Sequence, residues 1–238
     1  MKKDSYFLVI SAILLGVTII GFIPSFLLRP YFKETGLPVY FVIHGILLFA
    51  WFTAYFHQNL LIFKGKVLNH QRNGRYWFIL AILMMSANFY ILYAVSRETM
   101  EGTTTYWEGV RTPKSAGLLV LGTGYLVLTS TVFLIIAYLK RYRIQVHKRA
   151  ILGASVILLG PAFDRFLRPF SLDEIHPILP FTLINLFPIS LIVYDLVKRK
   201  RLHWVTILLT LMMLLTLPFV FGLSSAGAGE AIVKFLGS

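Results

Sequence analysis

The chain alternates long apolar runs with short polar connections. Seven runs of about twenty residues stand out, at 6–28, 39–63, 77–96, 116–139, 150–167, 177–197 and 204–222. At about 1.5 Å of rise per residue, a helix of that length crosses the ~30 Å hydrocarbon core of a bilayer. Ten-residue segments of alternating polarity are absent, so the pattern points to helices rather than a barrel. The expected fold is all-α: a polytopic transmembrane bundle of seven spans, forming a single integral-membrane domain over residues 1–238. Breakers refine it. Arg29-Pro30 closes the first run, Gly160-Pro161 should kink the fifth, and Pro180 and Pro188 should bend the sixth. Gly117, Gly122 and Gly124 let the fourth approach a neighbour closely. The seventh run, rich in Leu, Thr, Met and Phe, reads as lipid-facing or peripheral. The polar connection 97–114 has room for a short helix or a lid. The last stretch, EAIVKFLGS, suits an amphipathic turn on the outer surface.

Composition agrees. Apolar residues make up 57% of the 238, charged residues only 14%, and the mean hydropathy is +0.75. A net charge of +13 suggests nucleic acid at first sight. Its distribution excludes that partner. Lys2, Lys3, Lys64, Lys66, Arg72, Arg75, Lys140, Arg141, Arg143, Lys148, Arg149 and the run Lys198, Arg199, Lys200, Arg201 share one side with only Asp4 and Asp195. The opposite connections balance acid against base, so the whole excess lies on one face, as the positive-inside rule requires. The expectation is a multi-pass cell inner-membrane protein with a cytoplasmic N-terminus and an outer C-terminus. Its basic loops meet anionic lipid headgroups, each near-surface cation contributing about 1 kcal/mol. The start, MKKDSYFLVISAILLG, has a signal peptide's basic and apolar regions, but its apolar run is too long and no small-x-small site follows, so it reads as an uncleaved first span. With no cysteine, disulfides, thiolate metal sites and palmitoylation are excluded.

Polar side chains inside a span are costly and need a reason. In the stretch from Val42 to Arg75, a step of about 100° per residue puts Leu48, Trp51, Tyr55 and Gln58 within about 40° of His44. His57 lies about 140° away. His44, Asn88, Asp164, Arg165 and Asn185 come out at similar depth, a polar layer in the outer half with Arg29, Arg168 or the 97–114 connection above it. The ligand-binding expectation is therefore His44, Trp51, Gln58, Asn88, Asp164, Arg165 and Asn185, taking a polar or anionic headgroup with His44 and Arg165 as donors. The competing expectation is a structural network, since Asp164 and Arg168 stand one turn apart.

Haem b is the other candidate. Two histidines at one depth on facing helices would serve as axial ligands. His70 and His147 form the best pair by topology, each in an H-x-R preceding an outward-going span; on the outer side His44 has only His176. No H-E-x-x-H, G-x-S-x-G or phosphate-cradling glycine loop is present, no three residues suit a zinc site, and no central lysine suits a retinal Schiff base. Catalytic residues are not identified, and the reading leans away from an enzyme.

Three segments, IGFIPSFLLRP, HGILLFAWFTAYFHQNLLI followed by LNHQRNGR, and VHKRAILGASVILLGPAFDRF, together resemble a widespread family of small, uncharacterised bacterial inner-membrane proteins. The resemblance carries over a pattern at Arg29, His44, Trp51, Gln58, His70, Arg72, Gly74, His147 and Arg165, and no activity. A looser similarity links the paired histidines to membrane b-type cytochromes. Two functional expectations follow: a non-enzymatic lipid- or small-ligand-binding or accessory membrane protein, or a haem-bearing redox protein exchanging electrons with quinone.

Overall fold

The computed structural model describes residues 4–32, 36–103, 112–167 and 179–238, and all regular structure among them is helical. In chain order the helices are α1 (Tyr6–Phe22), continued by a π-helical segment (Ile23–Leu27), α2 (Arg29–Phe32), α3 (Val39–Phe63), α4 (Val67–Glu101), α5 (Pro113–Leu139), α6 (Ile144–Ile157), α7 (Gly160–Leu167), α8 (Leu179–Arg199), α9 (Trp204–Ser225) and α10 (Ala228–Gly237). Five of them, α3, α4, α5, α8 and α9, are long and apolar enough to cross a membrane, and α6 with α7 makes a sixth as a pair bent by 50°. At 17 residues, α1 falls short of that group. The protein is a multi-pass helical membrane protein.

Local chemistry explains several boundaries. Thr112 caps α5 by accepting from the Ser115 N–H while Ser115 returns a bond to the Thr112 backbone, with Pro113 at the first helical position. Gly102 ends α4 at φ +71, a left-handed conformation that favours glycine. The expected bend at Gly160-Pro161 is present, since the α6 ladder stops at Leu158 and restarts at Gly160. Pro180 instead sits in the first turn of α8, where a missing N–H does no harm. The segment around His70 is not a loop: α4 begins at Val67, ten residues before the apolar run, so His70, Arg72 and Arg75 are helical.

Between helices in lipid, close packing replaces the hydrophobic effect as the source of attraction. Gly21 of α1 meets the Ala162 backbone of α7, where an added Cβ would lie 2.5 Å from a carbonyl oxygen. Gly117 of α5 and Gly229 of α10 cross with equally little room, at 2.6 Å, whereas Gly122 and Gly124 have ordinary space. That crossing corrects the expectation for the C-terminal stretch. α10 is not a turn lying on the surface; it docks between α4 and α5, with Val233 fully buried among Ile91, Val95 and Val120.

One polar contact governs the opposite end. Arg149 on α6 and Asp195 on α8 form an ion pair in which both side chains are 0% exposed. Arg149 Nε donates to Asp195 Oδ1 at 3.1 Å, its Nη2 also reaches that carboxylate, and Nη1 donates to the Gln145 carbonyl and side-chain oxygens at 2.9 and 2.8 Å. Asp195 Oδ2 accepts from the His203 N–H at 3.0 Å and the Thr206 hydroxyl at 2.6 Å. The carboxylate thus ties α6, α8 and the start of α9. Arg149 and Asp195 are not the surface loop charges that the distribution along the sequence suggested.

Removing one member strands a buried charge, which costs about 3–5 kcal/mol. Asp195→Asn should therefore lower the unfolding midpoint in detergent sharply. The double variant Arg149→Met/Asp195→Leu should recover most of that loss. A double variant as unstable as the single one would show that the pair is not the source of the penalty.

Candidate functional site

The candidate residues of the sequence gather mainly in two places, and the structure adds a third. In the first, His44 of α3, Asn88 of α4, Thr123 of α5 and the α6–α7 break (Ile157, Leu158, Pro161) surround a cavity of ≈ 30 Å³. Asn88 is buried and donates to the Met84 carbonyl at 2.8 Å. Among the described residues His44 Nδ1 is buried without a hydrogen-bond partner. Arg165 sits with its guanidinium 5.0 Å over the Phe22 ring. Asn185 does not line the cavity; it donates to Phe181 in its own helix. Trp51 is also taken up structurally, donating to Ser155 Oγ at 3.2 Å in the α3–α6 contact. A volume of ≈ 30 Å³ has room for water, which needs about 10–15 Å³ of such space, and is far too small for a lipid headgroup. The layer gathers His44 and Asn88 but does not form the headgroup pocket expected of it. Arg168 and His176 fall outside the described residues, as does the side chain of Asp164.

The second place brings His70 and His147 together, with ring centroids 6.4 Å apart and planes at 80°. Gln58 belongs here rather than with His44. Trp77 Nε1 can only donate, so it fixes the Gln58 amide with its oxygen toward Trp77 (2.6 Å) and its nitrogen toward His70 Nδ1 (2.5 Å). His57, which helix phase separated from the His44 face, packs edge-on against the same Trp77 at 6.5 Å. His147 Nδ1 lies 2.9 Å from the Ala137 carbonyl, an acceptor, and therefore carries a hydrogen. In neutral imidazoles this leaves the lone pair on His147 Nε2, as a metal-ligating histidine requires. His70 has the opposite tautomer. Its Nδ1 accepts from Gln58, so its Nε2 is protonated and offers no lone pair. Bis-histidine haem needs a lone pair from both rings, and the residues present do not fit it. The pair thus carries a donor on His70 Nε2 and an acceptor on His147 Nε2. Among the described residues no three His, Cys, Asp or Glu side chains gather around a metal position.

The third place is a cleft of ≈ 380 Å³ beside the buried ion pair, lined by Asp4, Gln145, Lys148, Tyr194, Lys198 and Arg199. Three cations face one carboxylate. Lys148 is held in position: its Nζ donates to Tyr194 OH at 3.1 Å and lies 4.4 Å above the Phe7 ring. Asp4 reaches the same Tyr194 hydroxyl and stands 3.9 Å from Lys148 Nζ. Tyr6 stacks on Tyr194 at 4.3 Å and bonds Ser190, fastening α1 to α8. Gln145 Oε1 links Arg149 to Arg199. Along the sequence the cations of this cleft are indistinguishable from the rest of the basic face, and the convergence of Lys148 with Lys198 and Arg199 on Tyr6, Phe7 and Tyr194 arises only on folding.

No family model, curated protein or solved structure matches the chain.

At the rim of the ion pair, His203 caps α9 through Nδ1, which accepts from the Val205 N–H at 3.2 Å. Burial, reinforced by Arg149 and Arg199, pushes its pKa from 6.5 down to about 4, against the opposing pull of Asp195. The unfolded chain takes up a proton near 6.5 and the folded one only near 4, so stability should fall as pH drops through that window. His203→Asn keeps a cap acceptor without the titration and should flatten the pH dependence of the thermal midpoint. An equally steep curve in the variant would place the acid sensitivity elsewhere. A second measurement checks the tautomers. The reduced purified protein should show no Soret band that depends on His70; a band lost in both His70→Ala and His147→Ala would overturn the assignment.

Proposed function

We propose that this chain is a seven-span inner-membrane protein with a cytoplasmic N-terminus, whose activity is to bind an anionic phospholipid through its headgroup in the Lys148–Lys198–Arg199 cleft. It is a binding or accessory protein rather than an enzyme. The observation that carries the reading is the convergence of these three cations on a cleft of ≈ 380 Å³ at the basic end of the bundle. That volume falls within the range of ligand pockets, about 300–1,000 Å³. The charge asymmetry along the chain supports the orientation, which turns the cleft toward the leaflet where anionic lipid attracts basic residues. The chemistry follows from the contacts. Arg199 can present a planar fork to a phosphate and Lys198 a mobile point charge. Lys148 is already desolvated on one side by Phe7 and Tyr194. Asp4 is a tethered competitor: its carboxylate occupies the Tyr194 hydroxyl and attracts Lys148, so an incoming phosphate replaces it.

Native mass spectrometry of the protein released from membranes of mixed composition tests this. Phosphatidylglycerol or cardiolipin should be retained over phosphatidylcholine. Lys198→Ala and Arg199→Ala should each weaken retention about five-fold, the equivalent of about 1 kcal/mol per near-surface cation. Asp4→Asn should strengthen it. Equal retention of phosphatidylcholine, or no change in any variant, would dispose of the proposal. Competition by free inorganic phosphate at the same cleft, without lipid retention, would move the ligand from the bilayer to the aqueous phase.

A further inference from the structure

The α6–α7 break leaves a backbone acceptor without its helical donor. Hydrogen bonds across it run from Leu158 N to the Ala154 oxygen, from Leu159 N to Val156, and from the Ala162 and Phe163 N–H groups to Leu159. The residue that would close the next turn on the Ile157 carbonyl is Pro161, which has no N–H. Among the described residues nothing donates to the Ile157 oxygen. Ile157 is 1% exposed. An unsatisfied carbonyl at membrane depth is costly, and broken membrane helices recover such groups through hydroxyls, neighbouring helices or ordered water.

Ile157 and Pro161 line the same ≈ 30 Å³ cavity as His44, whose Nδ1 is the second partnerless polar atom of this region. Asn88 and Thr123 complete its polar wall. The Asn88 amide nitrogen is committed to Met84, which leaves its oxygen as the acceptor turned to other use.

We propose that this cavity is a binding site for a single water molecule, bridging His44 Nδ1 on α3 to the Ile157 carbonyl at the break and completed by Asn88 and Thr123. Volume selects the ligand, since about 10–15 Å³ of such space admits a water and nothing much larger fits, and a buried water needs two to four polar partners. A water both donates and accepts, so it satisfies His44 in either tautomer while giving its other hydrogen to a carbonyl. This site is independent of the cleft at the basic end.

Water-edited solid-state NMR of the protein in bilayers, with the histidine rings labelled with nitrogen-15, tests the site. Magnetisation should pass from water to the His44 ring, the signal being identified by its disappearance in His44→Phe. In Asn88→Leu, with elution and melting like wild type, an apolar side chain enters the cavity and the transfer should be lost. Thr123→Val provides the same test should the leucine variant fail to fold. A wild-type His44 ring that receives nothing from water, or transfer unchanged in the folded cavity variant, would overturn the proposal.

Discussion

The Arg149–Asp195 pair is the constraint around which the basic end of this bundle is arranged. An isolated charge in so dry an environment would be prohibitive, so each group must be met on several sides. Asp195 is met by the guanidinium, the His203 N–H and the Thr206 hydroxyl. Arg149 is met by Asp195 and by two oxygens of Gln145. These requirements fix more than the pair. They hold the start of α9 against α8 and so define the turn between them, where Lys200 adopts φ 59, a left-handed conformation unusual for a residue with a side chain. They also fix the register of α6, which places Lys148 on the aromatic floor of the cleft.

The other polar groups within the spans are mostly satisfied within their own helix. Ser11 donates to Leu8, Thr18 to Leu14, Ser96 to Leu92, Thr99 to Val95 and Thr210 to Thr206. Such back-bonding lets a hydroxyl sit in an apolar run without a partner on another helix. It also separates the bonds that join helices from those that do not. Trp51 to Ser155, Ser130 to the Ala154 carbonyl, and Tyr125 to the Met212 carbonyl cross between helices. Two of these three end within a few residues of the α6–α7 break, where the ladder is weakest and outside support is needed most.

The bundle and its bend were legible because both rest on local rules: run length against bilayer thickness, and a Gly-Pro pair that cannot continue a ladder. The ion pair was not. Hydropathy places the helix ends near 150 and 197, whereas α6 begins at Ile144 and α8 continues to Arg199. Arg149 and Asp195 therefore looked like flanking charges. Nothing in one sequence tells which of fifteen basic residues is paired at depth, because pairing is a tertiary fact. The shared H-x-R pattern did indicate that His70 and His147 approach one another. It did not reveal that Arg149 is buried while Arg72 is exposed. Helix phase put Gln58 with His44, since phase gives direction and says nothing of the neighbour a long side chain reaches. Trp77 decided that.

The two ends of the α6–α7 unit are held differently. From Arg149 to Ile157 is eight residues of helix, about 12 Å. At the lower end the chain is locked by the charge-assisted pair to Asp195 on α8, which in turn holds the start of α9. At the upper end the ladder is interrupted, and α7 rests on α1 through the close Gly21–Ala162 contact. Displacement of α6 near the cleft would strand a buried charge. Displacement of α7 about the break disturbs a ladder that is already interrupted, but it must also undo the packing of buried Ala162, Phe163 and Leu167 on α1 and α8. The interrupted ladder and the charged anchor lie on one continuous stretch of chain, separated by two turns of helix.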